Sequence, residues 1–240
     1  MSLLNLAESG KIPDFLIRKG IKNLCQQRLL DEGCNDAEQA DRRFNDLIKK
    51  GAFNRKSQKS KESPVAIETQ AANEQHYELP TEFFKLCLGD RLKYSSGYYP
   101  KGTETLNEAE VHMLMLYSQR ANLRDGQDIL ELGCGWGSLT LWMAEQYPNS
   151  QITAVSNSAT QRAHINEQCQ LRGFTHVTVI TQDVNNLDFP ESQFDRCVSV
   201  EMFEHMRNYQ SLLGSISRWL KPEGKLFVHI FVHRYLMYPF

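Results

Sequence analysis

The sequence predicts an α/β fold, a doubly wound and mostly parallel sheet, with a helical extension at the amino end. Three observations predict it. From Gln127 onward, short apolar runs alternate with segments of helical period, and near-continuous apolar strands joined by helices argue for a parallel sheet covered on both faces. A glycine cluster, Gly133-Cys134-Gly135-Trp136-Gly137, stands where the first run hands over to the first helical segment. Right-handed crossovers between such strands make a doubly wound domain, the third ground for the prediction.

Taken in order, residues 1 to about 53 read as helical, with Ile17, Ile21 and Leu24 at helical spacing after Pro13-Asp14 and a second, polar helix expected over 36–50. NRKSQKSKESP (54–64), dense in Lys, Ser and Pro, is either a basic patch for an anionic surface or a solvated linker, and the linker is the expected reading. The expected division is therefore a leader and linker over 1–64 and a main domain over 65–240. In that domain DILELGCG is a strand entering the glycine turn and SLTLWMAEQYP a helix ending near Pro148. QITAVSN is the second strand, and ATQRAHINEQCQLRG a helix closed by Gly173. HVTVITQDV and FDRCVSVEM are the third and fourth strands, YQSLLGSISRWLKP a helix, and KLFVHIFV the fifth strand.

Bulk composition narrows the function. A net charge of -2 lacks the basic surplus of a duplex-binding protein, so nucleic acid is not the expected partner. No apolar run is long enough to span a bilayer, and MSLLNLAESG is not a secretory signal. Six cysteines without a C-x-x-C pair argue against a zinc site and a disulfide framework, and suit a cytoplasmic setting. No metal ligands are expected, and the oligomeric state is not readable.

The chemistry is carried by residues at the predicted carboxyl edge of the sheet, where such folds bind ligands. Gly133 and Gly135 let a ligand approach the backbone. Glu131, two residues before Gly133, can pair with the α-ammonium of a methionine moiety, whereas it would repel the pyrophosphate of a dinucleotide. The spacing is G-x-G-x-G, not the dinucleotide G-x-G-x-x-G, and no acid follows the second strand. Asn157 and Gln161 there are candidates for neutral hydrogen bonds to a ribose, with helix capping as the alternative. Asp183, ending the third strand, either accepts from an adenine amino group or caps the next turn. The fourth strand ends in Glu201-Met202-Phe203-Glu204-His205. A helical turn there would bring Glu201 beside Glu204 and His205. Two carboxylates can hold a protonated amine, and an imidazole can take its proton.

At these residues the chain resembles the cyclopropane-fatty-acid-synthase-like methyltransferases, and within them the coclaurine N-methyltransferase branch. The resemblance runs through IPDFLIRKGI, ANEQHYELPTEFF (72–84), LGDRLKYSSGYY (88–99), ELGCGWGSLTL, FDRCVSVEMFEHMRNY and KLFVHIFVH. It implies a class I, Rossmann-like fold, the cofactor S-adenosyl-L-methionine, and methyl transfer to a small secondary or tertiary amine. It further implies donor contacts from Tyr94, Ser95, Gly133, Gly135 and Gln161, an amine-binding and proton-accepting set of Glu201, Glu204 and His205, and acceptor-pocket residues Tyr77 and Glu78. The lipid branch uses a bound bicarbonate and would place Ser96, Glu204 and His229 around it, so a lipid acceptor stays open beside the amine. The sequence stops at Phe240, just past the fifth predicted strand, where this class continues into further strands and a substrate cover. A truncated chain is therefore expected, and a donor-binding module without turnover is a third reading.

Overall fold

The computed structural model describes residues 3–31, 36, 38–39, 41–42, 45–46, 64–66 and 80–232. The chain divides into two compact units, Met1–Arg55 with Val232–Phe240, and Lys56–Phe231.

In the first unit, α1 covers Leu3–Glu8 and α2 covers Asp14–Asp31. Helix α2 begins just after Pro13, and Asp14 in its first turn bonds Arg18 one turn on, at 2.7 Å. None of its residues is buried, and Phe15, Ile21 and Leu24 are exposed. The second expected helix falls largely outside the described residues, as does the linker.

The second unit is built on five parallel strands: β1 (Asp128–Leu132), β2 (Gln151–Ser156), β3 (Val177–Thr181), β4 (Phe194–Val200) and β5 (Leu220–His229). Their spatial order is β3-β2-β1-β4-β5. The order reverses between β1 and β4, which opens a crevice beyond their carboxyl ends. β5 starts earlier and stops earlier than the apolar run suggests, with Ile230 and Phe231 lying beyond it.

Alternation along the strands decides which helix covers which face. Leu130, Leu132 and Cys197 pack with Leu212, Ile216 and Trp219 of α7 (Tyr209–Trp219). Ile129, Ile152 and Val198 point the other way. They meet Leu114 and Tyr117 of α4 (Leu106–Arg120) and Leu139, Trp142 and Met143 of α5 (Ser138–Gln146). Ala154 on that same face packs with Ile165 and Cys169 of α6 (Ala159–Arg172). Helix starts follow local chemistry. Thr105 and Glu108 form a reciprocal capping box at α4, Ser158 caps α6 and Asn208 caps α7. A short helix α3 (Thr81–Cys87) precedes the segment that carries Lys93, Tyr94 and Ser95. Among the described residues, no helix is long and apolar enough to cross a membrane, and no cluster suits a metal ion.

Candidate active site

The turn after β1 is held by its backbone. Gly133 and Cys134 both donate to the Val155 carbonyl at 3.0 Å, and all three glycines have positive φ. Space separates their roles. A Cβ on Gly137 would come within 2.6 Å of Ile165, and one on Gly133 within 2.9 Å of Met202. Those two glycines serve close packing as well as the turn. A Cβ on Gly135 would meet nothing within 4 Å, so Gly135 is the glycine that borders open space.

Glu131 lies on the face covered by α5, 3% exposed, and accepts a hydrogen bond from the Thr140 hydroxyl. Burial pushes its carboxyl up to about 8, against the smaller opposing effect of the Thr140 bond. It pairs in register with Val198, three residues short of Glu201, which sets the two acids about 10 Å apart along the strand direction. Glu131 belongs to the carboxyl half of β1, and Glu201 follows the last residue of β4, so Glu131 lies deeper.

At the end of β2, the Ser156 hydroxyl donates to the Gln161 side-chain oxygen at 2.7 Å. Gln161 is buried, and its Nε2 has no hydrogen-bond partner. Such an orphaned donor is costly unless something accepts from it. Asn157 is exposed beside it, while the capping of α6 falls to Ser158. Asp183 caps the 3-10 turn Val184–Asn186, its Oδ1 accepting from the Asn185 N–H at 2.8 Å.

The acidic block departs from the helical expectation. Glu201 sits in the left-handed region at φ 54, and the turn that follows, Phe203–His205, is a single 3-10 turn. Glu201 thus precedes the helical turn instead of sharing its face. A non-glycine residue held there stores about 1–3 kcal/mol of strain. Its N–H donates to the His229 carbonyl at 2.8 Å, fixing β4 to β5 at the edge. Burial raises the Glu201 carboxyl, and Lys93 opposes that rise. Glu204 is pushed up to about 7, first by burial and also by the nearby Glu201 charge. Both its carboxyl oxygens are buried without a partner. His205 is half-buried on the same turn, its N–H donating to the Met202 carbonyl at 3.0 Å. The block is anchored from outside the sheet. Ala66 bridges Met206, and Asn185 binds the backbone of Val65 and Ala66. Tyr77 and Glu78 lie outside the described residues.

Tyr94 is exposed and meets Phe84 edge-on at 5.3 Å. Ser95 accepts from Lys93, whose ammonium also donates to the Ser96 carbonyl at 2.9 Å and the Tyr117 hydroxyl at 3.1 Å. Tyr117 in turn bonds His229 Nδ1 at 2.7 Å. Ser95, Ser96 and His229 therefore gather around one buried cation. Lys93, Tyr117 and Thr140 bond to the expected site residues Ser95, His229 and Glu131, and the sequence does not single them out. Nothing in RLKYSS or LMLYSQR signals burial of a lysine or a shared contact across 24 residues. A separate cavity of about 270 Å³ opens beside Trp136 and His164, lined by none of the expected site residues.

Comparison with known proteins places the chain. The family model for mycolic acid cyclopropane synthetase matches residues 66–236. (S)-coclaurine N-methyltransferase of Thalictrum flavum subsp. glaucum is 36% identical over 238 residues, 99% of this chain and 63% of that protein. The Papaver somniferum enzyme of the same name is 37% identical, over 98% and 64%. Cyclopropane-fatty-acyl-phospholipid synthase of Escherichia coli K12 is 36% identical over 65% of this chain and 39% of that protein. A crystal structure of coclaurine N-methyltransferase with N-methylheliamine and SAH superposes with a TM-score of 0.81 at 36% identity, over 94% of this chain and 62% of that one. The chain thus spans somewhat under two thirds of the coclaurine N-methyltransferases it matches. A family model covering most of the second unit and relatives above 30% identity across the whole chain agree with the sheet order and the turn: this chain belongs to the mycolic acid cyclopropane synthetase family.

Proposed function

We propose that this chain binds S-adenosylmethionine and methylates a small secondary or tertiary amine. The observation that carries the reading is Glu204, a carboxyl near neutrality whose two buried oxygens lack partners, on the turn after the strained Glu201. A substrate ammonium supplies the missing donors and favours ionisation of both acids.

The donor fits the other end of the crevice. Open space at Gly135, the orphaned Gln161 Nε2 and the buried Glu131 carboxyl offer, in turn, room, a donor for a ribose hydroxyl and a counter-charge for an α-ammonium. Tyr94 and Ser95 complete that contact, with Asn157 and Asp183 toward the nucleoside. When bound, S-adenosylmethionine supplies a methyl group on a positively charged sulfur. The chain's own residues do the rest: Glu201 and Glu204 hold and orient the amine, and His205 takes the proton that blocks its lone pair. Tyr77 and Glu78 belong to the same acceptor region on this reading, and the setting is cytoplasmic. The main domain is taken as residues 65–240, with 1–64 as its leader.

Incubation with labelled donor and a panel of benzylisoquinoline-like and simple secondary amines tests this. Label transferred to an amine is the expected result. Donor binding without transfer to any amine refutes the amine assignment. A lipid acceptor is the second reading, favoured by the convergence of Ser96 and His229 on Lys93 and Tyr117. Label recovered in fatty acyl chains, with dependence on bicarbonate, selects it.

A further inference from the structure

Lys93 is 4% exposed, and each of its three ammonium hydrogens has an acceptor: Ser95 Oγ, the Ser96 carbonyl and the Tyr117 hydroxyl. Its ammonium also lies 4.7 Å from the centre of the Tyr117 ring. The Tyr117 hydroxyl has a single hydrogen to give. The Ser96 and Ser95 side chains also bond it in the sense that favours its ionised form, as donors do; with these and Lys93 on the donating side, its own hydrogen goes to His229 Nδ1, at 2.7 Å. An imidazole that accepts at Nδ1 and is neutral carries its proton on Nε2.

We propose that Lys93 and Tyr117 are positioning residues that fix His229 as the neutral Nε2–H tautomer, making it a hydrogen-bond donor at the end of β5 and withholding it from service as the base. Through its bonds to Ser95 and Ser96, Lys93 ties this imidazole to the turn carrying Tyr94 and Ser95. Only that last coupling rests on the proposed donor site; the tautomer does not.

The surrounding charges keep each member in the state the chain of bonds requires. Burial lowers Lys93 to about 8, and Glu201 at the end of β4 and Glu110 on α4 both favour its charge. It therefore remains mostly an ammonium at neutral pH. Burial pushes the Tyr117 phenol up to about 12, so it keeps its hydrogen. Burial, then Lys93, then Arg120 of α4 hold His229 below the ordinary imidazole range. A proton added at Nδ1 would have to displace the Tyr117 hydrogen, which turns against Lys93 if it swings away. The proton of an amine acceptor is accordingly left to Glu204 and His205.

The test is ¹⁵N NMR of histidine-labelled full chain, with His229→Gln to assign the signals and calorimetry with S-adenosylhomocysteine in parallel. In the parent, His229 should show an unprotonated Nδ1 and a protonated Nε2 from about pH 6 to 8. Tyr117→Phe should release it to a mixture of tautomers and raise its titration, with nucleoside affinity retained because Lys93 still holds Ser95. Lys93→Met should do the same to His229 and also weaken S-adenosylhomocysteine about tenfold, the scale of a lost charge-assisted bond. A parent His229 protonated on Nδ1, or a Tyr117→Phe spectrum identical to the parent's, overturns the proposal. If Lys93→Met does not fold, Tyr117→Phe alone decides it. If the parent binds no S-adenosylhomocysteine, the proposed function fails while the His229 signals still decide the tautomer.

Discussion

Replacing Glu131 by Gln separates what this residue does for binding from what it does to stability. Glu131 is a buried acid pushed from 4.5 up to about 8. The folded chain therefore binds its proton more tightly than the unfolded chain does. Stability from this group is complete below about pH 4.5 and is lost as pH rises toward 8, because only the unfolded state ionises across that window. At about 1.36 kcal/mol per unit, the penalty is about 1 kcal/mol at pH 5 and about 3 kcal/mol at pH 7. Glu131→Gln keeps an acceptor for Thr140 and removes the titration. Urea unfolding of parent and variant at pH 5, 6, 7 and 8 should show the variant's advantage growing with pH, to about 2–3 kcal/mol at pH 7. Donor affinity should move oppositely, weakening by about 1.5–3 kcal/mol, the range for a hydrogen bond to a charged group. Binding to the parent should also release a proton near pH 7 as Glu131 ionises against the arriving ammonium, measurable by calorimetry in buffers of different ionisation enthalpy. Parallel unfolding curves at every pH would refute the burial argument. Unchanged donor affinity would remove Glu131 from the site.

Other substitutions probe the remaining parts. The parent's turnover should rise through about pH 7 as the Glu204 carboxyl ionises, and Glu204→Gln should abolish that rise; a pH–rate profile of each checks it. His205→Ala should lower turnover by about 10²-fold with donor binding retained, and single-turnover kinetics beside a donor titration would reveal a different base if it stays active. Glu201→Gly relieves the φ 54 conformation and should raise stability by about 1 kcal/mol while weakening the amine acceptor, read from denaturation and acceptor KM. Gly137→Ala forces a Cβ within 2.6 Å of Ile165 at positive φ and should cost about 2–4 kcal/mol. Gly135→Ala, facing open space, should cost less stability and more donor affinity.

The sequence by itself determined the strands and their helices, because period and apolar continuity are local signals set by which faces must be buried. It located the glycine turn and the acidic block at strand ends for the same reason, and a shared carboxyl edge follows once the strands are parallel. Local chemistry could not say which glycine serves packing. That depends on Met202 and Ile165, distant in sequence from Gly133 and Gly137. Nor could spacing reveal that Glu201 is left-handed instead of helical, since its N–H is drawn to the carbonyl of His229 across the sheet edge. The protonation states were equally out of reach. Glu131 and Glu204 are ordinary acids in sequence, and only desolvation in the assembled fold moves them toward neutrality. Lys93, Tyr117 and His229 come from a loop, a helix and a strand, and their chain of hydrogen bonds exists only because tertiary packing removes the water that would otherwise satisfy each of them.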